Sequence, residues 1–220
     1  MNSSIFREYD IRGIADEDLT DDVVSDIGLA MGTIFAKKGL KKISIGRDCR
    51  KSSERIFNVL SSSIIKAGIS IVDLGMITTP VLYFSLYGLK IDGGVMITAS
   101  HNPSDYNGFK AAIGKDVLSA AQIQEIKNII RSKSFIQDAN LGTIEELDLV
   151  DIYKKDILKS INLNKKIRIG VDCANTPIGL FAKDIMSDAG CEVYELYPEP
   201  NGDFPNHHPD PSVEENLKDL

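Results

Sequence analysis

Short β-branched runs alternate with longer amphipathic segments along most of this 220-residue chain, and that alternation restricts it to a sheet with helices packed on its faces. Lys42-Ile43-Ser44-Ile45-Gly46, Ile69-Ser70-Ile71-Val72-Asp73-Leu74 and Gly93-Gly94-Val95-Met96-Ile97-Thr98 read as strands. Between them, Asp22 to Lys38 places Val23, Ile27, Ala30 and Ile34 on one helical stripe, and Glu54 to Lys66 does the same with Ile56, Leu60 and Ile64. This order implies right-handed crossovers and a mainly parallel sheet covered on both sides. Thr79-Pro80 fits the N-cap and first turn of a further helix.

The pattern then repeats. Lys41-Lys42-Ile43-Ser44-Ile45-Gly46-Arg47-Asp48-Cys49-Arg50 resembles Lys165-Lys166-Ile167-Arg168-Ile169-Gly170-Val171-Asp172-Cys173-Ala174. Each is followed by a helical stretch, an Ala-Gly pair and another strand. The expected fold is therefore α/β: two related units with mainly parallel mixed sheets covered by helices on both faces, the second incomplete. The polar stretch Ser132 to Gly142 and a connecting helix over Leu147 to Ile161 divide the chain into residues 1–147 and 148–220. Near the end, Ser212 reads as the N-cap of a helix with Glu214 and Glu215 in its first turn. A strand should follow such a helix, so the second unit reads as cut short, with an exposed sheet edge that favours association or partial disorder beyond Asp148.

Composition narrows the partners. A net charge of -7 repels phosphodiester backbones, so nucleic acid is not the expected partner. Cys49, Cys173 and Cys191 are far apart and unpaired in spacing, as expected of reduced thiols. No apolar leader is visible, and no stretch approaches the roughly 18–20 apolar residues that span a bilayer. The expectation is a soluble cytoplasmic protein without membrane contact.

The densest chemistry follows the third strand. Thr98-Ala99-Ser100-His101-Asn102-Pro103 puts a hydroxyl, an imidazole and a carboxamide in consecutive positions. The carboxyl ends of strands are where such sheets bind ligands. Asp105-Tyr106-Asn107-Gly108-Phe109-Lys110 reads as a glycine turn followed by a lysine. A serine hydroxyl can relay phosphate when its ester is held by amides and a cation, and a lysine of lowered pKa can move a proton. The same residues also suit an ordinary polar turn. A hydrolase is disfavoured, because no G-x-S-x-G elbow is present and adjacent Ser and His rarely make the nucleophile–base contact. Gly46-Arg47-Asp48-Cys49-Arg50-Lys51-Ser52 suits either a solvated loop or anion capture at the helix that begins near Ser53. Phe6 to Gly13 alternates charge with aromatics and suits an edge segment or a site element. His207-His208 reads as a rigid polar loop rather than a metal site, and Asp172 as a helix cap or a structural acid.

In order along the chain stand Phe6-Arg7-Glu8-Tyr9-Asp10-Ile11-Arg12-Gly13, Gly46-Arg47-Asp48 with Arg50, Thr79-Pro80, Thr98 to Pro103 with Asn107-Gly108-Phe109-Lys110, and Asn201 to Pro211. Together, from Ile5 to Leu220, they resemble the bacterial phosphomannomutase/phosphoglucomutase branch of the α-D-phosphohexomutases. The resemblance implies an intramolecular phosphotransferase that interconverts hexose 1- and 6-phosphates through a 1,6-bisphosphate. It implies that Ser100 is the phosphoserine and contacts Mg²⁺ through its phosphate. Lys110 is then the general acid/base, with His101 beside it, Tyr9, Arg12 and Asn102 shape the site, and Arg47 is a supporting arginine. Mg²⁺ and a hexose 1,6-bisphosphate activator are the implied cofactors, and a phosphosugar the partner.

Departures from the family pattern accompany this. The family has four domains, and its Asp-rich metal loop, sugar-reading loop and distal phosphate loop are not found in this sequence. The chain alone is therefore expected to turn over negligibly. A shortened non-catalytic paralogue and a phosphoglucosamine mutase branch are the alternatives. Cys49 stands where relatives often have glycine, and Ala174-Asn175-Thr176-Pro177 replaces a glycine-rich turn.

Overall fold

The computed structural model describes residues 2–220. Its elements run β1 (Ile11–Ile14), α1 (Asp21–Lys37), β2 (Lys42–Arg47), α2 (Ser53–Ile64), β3 (Ser70–Met76), α3 (Thr79–Gly88), β4 (Gly93–Ile97), β5 (Tyr106–Ile113), β6 (Asp116–Val117) and α4 (Ala120–Ser132). They continue with β7 (Ile144–Glu146), α5 (Val150–Leu158), β8 (Ile167–Asp172), α6 (Ala182–Asp188) and β9 (Cys191–Leu196).

The first sheet has the order β1-β5-β4-β2-β3-β7, with β6 paired to β5. β4, β2, β3 and β7 are parallel, as the alternation requires. β5 runs antiparallel to both β4 and β1. The sheet is mixed because β5 returns directly from the Ser100 loop, with no helix to carry a crossover. The stretch Asp105 to Lys110 is thus not a glycine turn but the start of a strand. Gly108 lies in extended pairing opposite Arg12.

Side-chain alternation divides the sheet into two apolar layers. Ile43, Ile45, Ile71, Val95, Ile97 and Phe109 meet the stripes of α1, α2 and α4, which is the larger core. Val72, Leu74 and Met96 face α3, together with Leu149 and with Phe181 of the second unit. Ser44 and Ser85 hydrogen-bond to each other inside this layer at 2.7 Å, so neither hydroxyl is left unpaired. Phe84, Tyr153 and Phe181 continue it as successive edge-to-face contacts of 5.4 and 6.3 Å. The second unit thus docks on the α3 face of the first.

That second unit is small: β8 and β9 pair in parallel with Ile167 opposite Cys191. Three local expectations need correction. Thr78, not Thr79, caps α3, and its side chain makes no capping bond. The connecting helix is only Val150–Leu158. The stretch after Ser212 is a single 3-10 turn, Glu214–Leu217, and the Ser212 hydroxyl donates to Asp210 at 2.6 Å instead of capping it. Ser212 follows Asp210 by two residues, and a local Asx-type turn competes with helix entry there.

Candidate active site

β4 ends at Ile97, and the chain turns sharply over Thr98 to Ser104. Ser100 sits at the tip, exposed, with φ of 58°. Left-handed backbone costs a non-glycine residue roughly 1–2 kcal/mol, so other contacts must over-determine this turn. One is the Ser100 amide, which donates to Thr98 Oγ1 at 3.0 Å. Ser100 Oγ lies 3.4 Å from His101 Nδ1.

Strand pairing puts two cations on the same side of the sheet. Arg12 stands opposite Gly108, and Lys110, two residues further along β5, stands opposite Met96. Both therefore lie on the face that carries Met96. Arg12 donates to Asn102 Oδ1 at 2.7 Å and pairs with Asp10, its Nε 3.1 Å from Asp10 Oδ2. This ties β1 to the Ser100 loop. Tyr9, Arg12, Tyr83 and Lys110 line a cavity of about 510 Å³. Tyr9 is 70% exposed at its rim, and its phenol pKa is raised by the neighbouring Glu8. A second cavity of about 230 Å³ runs from Ser100 past Thr98 and Thr78 to Thr176 and Phe204 of the second unit.

Arg50, after β2, does not capture an anion in the expected way. Arg50 is buried, and its guanidinium is consumed by the Ser100 loop. It donates to the carbonyls of Ser100 at 3.1 Å, Asn102 at 2.6 Å, Tyr106 at 3.0 Å and Pro103. Its Nε–H donates to Asp48 at 3.1 Å. A guanidinium has five N–H donors, so none remains for a ligand. Burial lowers the Arg50 pKa, and the Asp48 carboxylate opposes that. Arg47 is likewise engaged, with Asp73 at 2.6 Å and Glu54 at 2.7 Å, and its guanidinium lies over the Phe57 ring. Sequence reasoning treated Arg50 as one cation among several. The Asp two residues before it was the available sign of an internal partner.

Asp172 is a structural acid. One oxygen accepts from the Ala174 amide, and the other lies 2.8 Å from His207 Nε2. His207 Nδ1 lies 2.9 Å from the His208 carbonyl, so both ring nitrogens face acceptors. That arrangement requires a doubly protonated ring for both bonds. Burial works to lower the His207 pKa, but these bonds outweigh it and the net shift is upward.

Among the described residues no three His, Cys, Asp or Glu side chains converge as a metal site. Asp48, which lines the cavity at Ser100, is committed to Arg50 and to the Ser53 hydroxyl at 2.6 Å. The residues present therefore do not by themselves fit an Mg²⁺ cage. No helix among them is long and apolar enough to cross a membrane.

Comparison with known proteins matches two segments of the chain. Residues 3–137 match the family described as phosphoglucomutase/phosphomannomutase, alpha/beta/alpha domain I, and residues 150–220 match domain II of that family. The chain is 43% identical over 220 residues to a phosphoglucomutase of Neisseria gonorrhoeae, covering 100% of this chain and 48% of that protein. It is 41% identical over 220 residues to a phosphomannomutase/phosphoglucomutase of Pseudomonas putida, covering 100% of this chain and 47% of the relative. The crystal structure of a phosphoglucomutase/phosphomannomutase family protein from Burkholderia thailandensis superposes with a TM-score of 0.95 at 36% identity, over 100% of this chain and 49% of that one. The chain thus spans about half the length of the curated relatives it matches.

Proposed function

The chain belongs to the phosphoglucomutase/phosphomannomutase family, and we propose that it supplies the phosphate-carrying half of a phosphohexomutase, with Ser100 as the carrier. The observation that carries this reading is the Ser100 turn. An exposed hydroxyl is presented in a left-handed conformation at the carboxyl end of a parallel strand, and the loop beneath it is pinned by Arg50 and Arg12.

Phosphoryl transfer needs alignment and charge stabilisation more than covalent chemistry from the protein. The phosphoryl group on Ser100 passes to the free hydroxyl of a hexose 1- or 6-phosphate. The bisphosphate formed turns over and returns its other phosphoryl group to Ser100. Lys110 exchanges a proton with the sugar hydroxyl, and Arg12 offsets charge on the transferring group. His101, Asn102 and Tyr9 shape the approach, while Arg47 holds the end of β2. A hexose 1,6-bisphosphate primes Ser100. Mg²⁺ would find only the Ser100 phosphate as a ligand among these residues, and the chemistry it would supply there is Lewis-acid neutralisation of that phosphate. The division into residues 1–147 and 148–220 belongs to the same proposal, supported by the pairing of β7 with β3. A cytoplasmic location is supported by three free thiols.

The test is intact mass and peptide mapping of the purified chain, before and after incubation with hexose 1,6-bisphosphate and Mg²⁺. One phosphoryl group on Ser100, absent in Ser100→Ala, is the expected result. A Ser100 that stays unmodified in both states, or a phosphoryl group placed elsewhere, overturns the assignment.

A further inference from the structure

Arg50 touches both the Ser100 loop and the second unit. Its guanidinium binds the carbonyls of Ser100, Asn102, Pro103 and Tyr106, about fifty residues away in sequence. Asp48 holds it from behind and is itself anchored by Ser53 Oγ and by the Arg50 amide. On its open side lies the ring of Phe204, 5.2 Å from the guanidinium carbon. Phe204 belongs to the second unit, in a loop that packs backbone to backbone on Arg50. A Cβ placed on Gly202 would lie 2.6 Å from the Cys49 carbonyl oxygen and 2.9 Å from the Arg50 Cα. Lys51 and Asp203 close the same seam at 2.6 Å.

These contacts form a chain of consequence. The Ser100 turn is conformationally costly, because Ser100 is left-handed without being glycine. Carbonyls that point inward along such a turn need donors, and the Arg50 side chain that meets them is buried. A planar fork with five N–H groups satisfies four carbonyls and one carboxylate together, and no other side chain has the donors to do so. Phe204 caps the fork and keeps it desolvated, where its bonds are strongest.

We propose that Arg50 is a positioning residue for phosphoryl transfer at Ser100, and that the second unit sets its place through Phe204. Its structural half rests on this geometry alone, and its chemical half rests on the reading of Ser100 as the phosphoryl carrier. Arg50 touches no substrate. It holds the Ser100 hydroxyl at the mouth of the cavity and makes docking of the second unit a condition for a rigid carrier loop.

The decisive experiment is Arg50→Lys in the full chain. It keeps the charge but has three donors on one atom, which cannot reach four carbonyls from one plane. Hydrogen exchange at residues 98–107 should accelerate about tenfold or more, as expected when several hydrogen bonds under one loop are lost. Exchange in α1 and β2 should not change. Phosphorylation of Ser100 by hexose 1,6-bisphosphate should slow, with the half-saturating donor concentration unchanged, a split that general destabilisation does not produce. Unchanged loop exchange in folded Arg50→Lys overturns the proposal. If Arg50→Lys does not fold, Phe204→Ala decides, because it leaves every Arg50 hydrogen bond in place. Faster exchange at 98–107 then supports the coupling, and unchanged exchange sinks it. If Ser100 of the unaltered chain takes no phosphoryl group, the carrier reading fails, and loop exchange still judges Arg50 as a clamp.

Discussion

Gly108 passes so close beneath β1 that a methyl on its Cα would lie 2.3 Å from the carbonyl oxygen of Ile11. Its backbone is extended and needs no left-handed freedom, so the glycine is there for space. Gly108→Ala must push β1 off β5 and carry Arg12 away from Asn102. Such overpacking costs roughly 1–3 kcal/mol. Equilibrium urea unfolding should show a lower midpoint with an unchanged slope. A midpoint equal to that of the unaltered chain would mean the two strands separate freely.

Ser100 predicts a trade between stability and function. Its left-handed conformation costs roughly 1–2 kcal/mol, and glycine relieves that while adding about 0.4–1 kcal/mol of unfolded-state entropy. The strain is the larger effect, so Ser100→Gly should be more stable than the unaltered chain by roughly 0.5–1 kcal/mol and should take up no phosphoryl group. Thermal unfolding and mass mapping read the two effects separately. A loss of stability would show that the Ser100 side chain contributes more than its backbone costs.

How much of this was legible in the chain depends on where each residue's partners lie. β2, β3 and β4 announce themselves because both their faces are apolar and buried. β5 hides behind Asn107 and Gly108, two turn-forming residues used here for other reasons. Asn107 is fully buried and donates to the Ser52 and Ser53 hydroxyls. β7 offers three exposed residues and no pattern at all. At the site, the motif exposed Ser100, His101 and Lys110 as a set, but not that Arg12 reaches Asn102 or that Arg50 is spent on carbonyls. Those bonds exist only after β1 and Arg50 meet the Ser100 loop across some ninety and fifty residues of chain respectively. The replaced glycine-rich turn has a clear outcome: Ala174 and Asn175 both take φ near 50°, at 46° and 53°. Asn175 is held there by Glu199 and Asn206.

His207 makes folding pH-dependent. Its pKa is raised above the ordinary histidine value of 6.5: burial opposes the charged ring, but the His208 carbonyl and the Asp172 carboxylate outweigh it, aided by Asp219. A group with a raised folded pKa stabilises fully below its unfolded value and loses that contribution as pH rises through the folded one. His207→Gln keeps a donor toward Asp172 but cannot become charged. The stability gap between the two proteins should therefore be wide at about pH 5.5 and narrow at about pH 8.5, since histidine titrates between such values. Urea titrations at both values test it. A gap that widens with rising pH would show that the neutral ring is the bound form.

Cys49 reports on the seam between the units. Burial, followed by the Asp48 carboxylate, pushes its thiol up to about 11, and its Sγ donates to the Asn175 carbonyl at 3.3 Å. With thiolate so scarce, iodoacetamide should label it slowly near neutral pH. Cys173, also pushed up to about 11, is buried inside the second unit and serves as the internal control. Gly202→Ala forces a methyl against the Cys49 carbonyl and the Arg50 Cα, so the loop that covers them must lift. Lifting it returns water to Cys49, lowers the thiol toward its ordinary range and exposes it. Labelling of Cys49 should rise several-fold while that of Cys173 stays constant. Equal acceleration at both would indicate loosening of the whole second unit, and no change at either would mean that the seam tolerates the methyl.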